Sequence, residues 1–157
     1  MNRFDAPTFG PASEFGVCYA GMDAHGAFIE TFGHATGVRV VTVAELEVRE
    51  LSLVHASRSL RLVDLRAEGL ARIGADAELT SGSDYPLARR WAAALHDHPA
   101  QPDGLLYLAR HDPSRSSIAL FDRVAPVLRS ERLGPLTSPS QATRLGEILD
   151  TYRFGLL

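Results

Sequence analysis

Apolar and polar positions along the chain fall into short runs of two different periods, separated by turns that carry Gly and Pro. Phe15, Val17 and Tyr19 alternate with smaller residues, the period of a strand, and Gly21 ends that run. Asp23 then has the short polar side chain of a helix N-cap, and a helix through about His34 would turn Ala27, Phe28 and Thr31 inward with Glu30 beside that stripe. A lone acid in a helix so poor in charge calls for a reason. Residues 38–43 predict a short strand, and Thr42 caps a single turn through Glu45 to Glu47. Residues 48–55 and 59–65 predict two strands joined by Ala56-Ser57-Arg58; in the second, Leu60, Leu62 and Val63 face the core while Arg61 and Asp64 face outward.

Residues 66–73 predict a short helix stopped at Gly74, and 80–84 (TSGSD) a loop. The clearest helical period follows. Ser83 or Asp84 caps it, Pro86 suits its first turn, and Leu87, Trp91, Ala94 and Leu95 recur at helical spacing until Pro99. Residues 104–109 and 117–121 are apolar runs of strand length on either side of the polar segment RHDPSRS, and a further strand lies near 127–133. A terminal helix starts at Ser138-Pro139 and buries Ala142, Leu145, Ile148, Leu149 and Tyr152. Residues 5–16, rich in Pro, Gly and small side chains, read as a loop from Arg3 into the first strand. Interleaved strands and helices in a chain of 157 residues predict one compact mixed α/β (α+β) domain.

Composition narrows the function. Hydrophobic residues make up 45% and charged residues 22%, ordinary values for a globular chain, and the uncharged runs fall short of the roughly 20 apolar residues of a membrane span. With no basic-plus-apolar leader at the start, a cytoplasmic protein is expected. Cys18 is the single cysteine, which excludes an internal disulfide, and its strand position predicts a buried apolar filler. A net charge of −3 without a basic, aromatic-laced face argues against nucleic acid. All 16 basic residues are arginine, so Schiff-base chemistry is excluded and any anion must be held by Arg, His or backbone N–H groups. The sequence leaves a homodimer open.

Neither a phosphate loop with Lys-Ser/Thr nor a glycine-flanked nucleophilic serine is present. His96 and His98 flank Asp97, but two residues apart on a helix they point about 200° from each other and cannot share a metal there, so no metal is expected. The candidates are centred on arginine. Arg3 stands at the start, and Arg110, His111, Ser114, Arg115, Ser116 and Ser117 share one loop that could cradle a diphosphate, because guanidinium groups bind phosphate bidentately and hydroxyls add donors. The same loop also reads as a solvated hairpin turn.

The order RF, GVCYAG, AFIETFGH, RLVDL, GSDY and DGLLYLARHDPSRSSIALFDR, spanning residues 3 to about 123, resembles the RES domain family. The resemblance implies a fold like that of the ADP-ribosyltransferase toxins. It also implies an NAD-consuming toxin, restrained by a helical antitoxin protein, that cleaves the nicotinamide–ribose bond by phosphorolysis, hydrolysis or ADP-ribose transfer. NAD is then substrate, and no prosthetic group is expected. By position Arg3, Tyr19 and Glu30 match the family's arginine, tyrosine and glutamate and are the expected catalytic residues, with Arg3, Tyr19, Arg110, Ser114, Arg115 and Ser116 expected to hold NAD. The family serine falls at Ala109, with Ser114, Ser116 and Ser117 nearby. The competing expectation is a RES-like domain that keeps nucleotide or protein binding without turnover.

Overall fold

The computed structural model describes residues 2–8, 14–35 and 37–157. In chain order its elements are β1 (Val17–Gly21), α1 (Ala24–Phe32), β2 (Val40–Val41), α2 (Val43–Glu47), β3 (Leu51–Ala56), β4 (Leu62–Asp64), α3 (Glu68–Arg72), α4 (Glu78–Ser81), α5 (Tyr85–His96), β5 (Gly104–Leu108), β6 (Ser116–Phe121), β7 (Leu128–Gly134), α6 (Ala142–Tyr152) and β8 (Gly155–Leu156). Short apolar runs satisfy their backbone polar groups only by pairing. Four of them do so in one sheet of order β1-β6-β5-β4, antiparallel except for the parallel β4–β5 pair. The parallel pair needs a crossover, and α3, α4 and α5 supply it.

Alternate residues of the sheet turn Val17, Tyr19, Leu105, Tyr107, Ala119 and Phe121 into one apolar core, where Phe4, Leu70 and Leu79 join them. Ala88 and Ala92 of α5 are fully buried in it; their small side chains let the helix approach the sheet closely. A second core holds Phe28 and Ile29 of α1, Val41, Leu46, Leu145, Ile148 and Phe154. Together these make the single mixed α/β domain that the alternating periods predict. Asp23 caps α1 by accepting from the Gly26 N–H, and Thr42 with Glu45 forms a reciprocal capping box on α2, as their side chains predict.

Several expectations are corrected. Cys18 is exposed, because β1 is an edge strand and Cys18 points away from the face that carries Val17 and Tyr19. Thr31 is also exposed and spends its hydroxyl on the Ala27 carbonyl, and the buried stripe of α1 is Gly26, Phe28 and Ile29. The strand expected at 48–55 runs from Leu51 to Ala56 and pairs with β7 in a separate two-stranded ribbon. Leu60, just before β4, and Leu62 and Val63 within it are only half-buried, and the buried residue is Leu65, just beyond the strand. The expected loop at 80–84 begins inside α4, Ala94 is exposed on α5, and Ala142 is exposed on α6. The part of the expected N-terminal loop at 9–13 lies outside the described residues. Among the described residues no helix is long and apolar enough to cross a membrane.

Candidate functional site

Where β1 and β5 end and β6 begins, the two cores leave a cleft of about 320 Å³ between them. Close packing builds its floor. Gly21 lies so near α1 that a Cβ there would stand 2.5 Å from the Ala27 backbone nitrogen, which brings the helix across the strand end and sets Glu30 on the cleft wall. Tyr107 of β5 and Gly21 of β1 both register with Ser117 of β6, and Tyr19, two residues before Gly21 on the same strand, lines the cleft with them. Tyr85, Arg110, His111 and His34 complete the lining used below.

Arg3 reaches this cleft because its neighbour is an anchor. Phe4 is fully buried and packs edge-on against Tyr107, with ring centroids 5.0 Å apart. The Phe4 N–H donates to the Tyr19 hydroxyl (2.9 Å), which donates in turn to Asp5 (3.0 Å), and Arg89 Nε donates to the Asn2 carbonyl. Residues 2–5 are thereby strapped down. The Arg3 side chain lies over the Tyr85 ring, 4.7 Å from its centroid, and the residue is 8% exposed; both its terminal nitrogens are buried without a hydrogen-bond acceptor among the described residues. Burial pushes this guanidinium below the usual arginine value, opposed by Tyr85, reinforced by Arg110 and again opposed by Tyr107 and Glu30. A buried, unmatched cation of this kind is a strong anion acceptor.

Across the cleft Glu30 Oε1 accepts the His111 N–H at 3.0 Å, so one carboxyl oxygen is fixed by the backbone after β5. Burial lowers the His111 pKa, Glu30 opposes this, and His34, Arg110 and Arg39 add to the lowering, so its imidazole is neutral near pH 7. Burial pushes the Tyr19 phenol up, Asp5 adding to it, and does the same to Tyr107 with Glu30 adding; both stay protonated. Ser117 Oγ is buried on the cleft wall beside the Tyr107 hydroxyl, whose upward shift it opposes. The chemistry on offer is an anion site at Arg3, a carboxyl group held for a developing positive centre, and neutral hydroxyl and imidazole donors around them.

The structure thus brings Arg3, Tyr19, Glu30 and Arg110 together. Ser114, Arg115 and Ser116 are placed elsewhere. Ser114 turns onto Asp112 (2.6 Å), Arg115 pairs with Asp23 (2.8 Å), and Ser116 Oγ accepts from Arg66 (3.3 Å). Asp112 within the loop, and Asp23 and Arg66 far from it in sequence, draw these polar groups away from the cleft, and Tyr152 adds a bond to Asp112 that ties the loop to α6. His111 and Ser117 of the expected cradle line the cleft, as do Tyr85 and Tyr107, which were not expected to contact ligand; Tyr85 was within reach, since it closes the GSDY segment at the start of a strongly periodic helix. His96 is stacked on Phe15 at 4.3 Å and set edge-on to Phe121, so it packs within the first core.

Sequence comparison shows the family: the chain belongs to the RES domain family, which matches residues 1–141. Among curated proteins it is similar to the probable toxin y4kH of Sinorhizobium fredii (strain NBRC 101917 / NGR234), at 32% identity over 112 residues that cover 71% of this chain and 86% of that protein. No solved structure matches it significantly.

Proposed function

We propose that the chain is a toxin-like enzyme that consumes NAD by cleaving the nicotinamide–ribose bond. The observation that carries this reading is Arg3: a buried guanidinium with two unpartnered terminal nitrogens in the cleft that Glu30 also lines. A diphosphate presents the paired oxygens that such a fork accepts. With the diphosphate there, the adjoining ribose can reach Glu30. The departing nicotinamide already carries its positive charge and leaves neutral, taking the bonding electron pair, so no acid is required. Charge develops on the ribose as an oxocarbenium-like centre, which a fixed carboxylate stabilises while phosphate, water or a protein nucleophile supplies the new bond. The Glu30 oxygen held by His111 is restrained in place, and the other is left to face the sugar. Ser117 and Tyr107 offer hydroxyls to the same space.

The similarity to a probable toxin supports a restrained activity, with an antitoxin that covers the cleft and excludes NAD. The deciding experiment is nicotinamide release from NAD by the purified chain and by Glu30→Gln, which removes charge and almost no volume. The wild type is expected to release nicotinamide and the variant to be slower by about a hundredfold or more. A wild type that binds NAD without releasing nicotinamide leaves a binding module in its place, and a variant that keeps the full rate removes Glu30 from the chemistry.

A further inference from the structure

At about 320 Å³ the cleft stands at the low end of the roughly 300–1,000 Å³ over which sites enclose a small ligand. NAD is two nucleotides joined through their phosphates, and the lining offers groups for one. Among the described residues a single guanidinium fork, that of Arg3, is buried there, and one phosphate group presenting two oxygens satisfies both of its terminal nitrogens. Arg110, the other arginine of the lining, is exposed, and in solvent an ion pair with it is worth less than about tenfold in affinity. Ring faces are as few. Arg3 and Arg89 lie over the Tyr85 ring, 4.7 and 5.9 Å from its centroid, and Tyr107 is buried with Phe4 edge-on against it, which leaves the Tyr19 ring for one base. A second cavity offers the other nucleotide no place. It lies at Phe15 and Gly16, before β1 and so at the strand end remote from Gly21; among the described residues its charged lining is Glu14 and Asp122, which repel phosphate, and Phe15 is already stacked on His96 at 4.3 Å.

We infer, on the reading of the cleft as an NAD site, that the chain holds the mononucleotide half of NAD and leaves the adenosine outside, so that nicotinamide mononucleotide is a substrate in its own right. The chemistry at the sugar is the same for both. The C1′–N bond breaks, nicotinamide takes its electron pair and leaves neutral, and the nucleophile that bonds to C1′, water or phosphate, gives up a proton to solvent. Glu30, with one oxygen held by the His111 N–H, faces that centre whatever the phosphate carries beyond it. The phosphate itself is indispensable, because it is what Arg3 binds. Nicotinamide riboside, which has the base and the sugar without the phosphate, is therefore a poor substrate.

Nicotinamide release by the full chain in phosphate buffer, compared for NAD, nicotinamide mononucleotide and nicotinamide riboside, tests this. The kcat/KM for the mononucleotide is expected within about tenfold of that for NAD, the share left to an exposed contact such as Arg110. That for the riboside is expected to be lower than the mononucleotide's by about a hundredfold, the loss of two charge-assisted hydrogen bonds, and Arg3→Met should abolish the difference between these two. Release from NAD with the mononucleotide slower by more than about tenfold overturns the inference and leaves the NAD reading standing, since the adenosine is then gripped. A riboside cleaved as fast as the mononucleotide overturns it too, because the phosphate is then not held. Release from none of the three overturns the proposed function and this inference together. Should Arg3→Met fail to fold, the comparison of the three substrates on the wild type decides alone.

Discussion

Two buried charges in this chain, Asp103 and Arg3, are met in opposite ways. Arg58 forms a bidentate pair with Asp103, at 2.7 and 2.9 Å, and the same carboxylate accepts the Arg61 N–H at 2.7 Å. Asp103 is 3% exposed yet fully matched, and the Arg58 pairing with the Arg61 N–H draws its pKa down to about 2. Arg3 is equally deep but has a ring beneath it and no acceptor. The first arrangement ties the start of β4 to the start of β5. The second leaves interaction energy unspent until an anion arrives. Buried charge that is satisfied belongs to the fold, and buried charge that is left open belongs to the site.

The largest expected effect comes from removing the open charge. In a Glu30→Gln background, where NAD persists during a titration, Arg3→Met should weaken NAD binding by about a hundredfold, the loss of two charge-assisted hydrogen bonds. Thermal stability without ligand should stay level or rise, because an apolar side chain of similar length replaces an unmatched cation. Calorimetry and a melting curve read both halves; a variant that binds NAD as before, or that unfolds, would make Arg3 another structural arginine and dissolve the contrast.

The matched pair should behave the other way round. Asp103→Ala removes the bidentate partner of Arg58 and the acceptor of the part-buried Arg61 N–H, so stability should fall by about 2–3 kcal/mol, lowering the melting temperature by about 5–10 °C, while nicotinamide release at low temperature stays near wild type. The pH dependence follows from the same carboxylate. Its folded pKa of about 2 lies below the ordinary value of 3.8, so its contribution to stability is fully present above about pH 4 and disappears as pH falls from about 4 to about 2. Urea melts at pH 5 and pH 2 should therefore show the gap between wild type and variant closing on acidification; a gap that stays constant would mean the carboxylate's charge contributes nothing.

Legibility in the sequence followed distance along the chain. Tyr19 and Glu30, eleven residues apart, were readable because a strand, a tight turn and a capped helix are local events, and Asp23 announces the helix. The loop from Arg110 to Ser117 looked like a cradle by composition, yet Arg115 is drawn to Asp23, 92 residues away, and Ser116 to Arg66, 50 residues away, and neither pairing has a local signature. The strand at 51–56 was readable as a strand, but its partner lies beyond the whole α/β crossover at 128–134. Cys18 was misjudged because period-two alternation says which side chains share a face, and only the strand order says that this strand is an edge. Arg3 could be named from a pattern, whereas its isolation depends on Phe4 being anchored in a core assembled from the central sheet and the crossover helices.

The smallest effect separates touching the substrate from holding what touches it. The Tyr19 hydroxyl accepts the Phe4 N–H and donates to Asp5, so its hydrogen-bonding capacity in the strap is already committed, while its ring lines the cleft. Tyr19→Phe keeps the ring and removes the clasp on residues 3–5. If the hydroxyl positions Arg3, the loss should be about 1 kcal/mol, the size of one net hydrogen bond, and should appear as a several-fold rise in KM for NAD with kcat nearly unchanged, since the anion site loosens and the sugar end does not. A second readout distinguishes this from general weakening: in an Arg3→Met background the same Tyr19→Phe change should leave KM where it is, because the strap then has no guanidinium to aim. A fall in kcat at constant KM would instead put the hydroxyl on the reacting sugar, and Tyr19 would join Glu30 rather than Arg3.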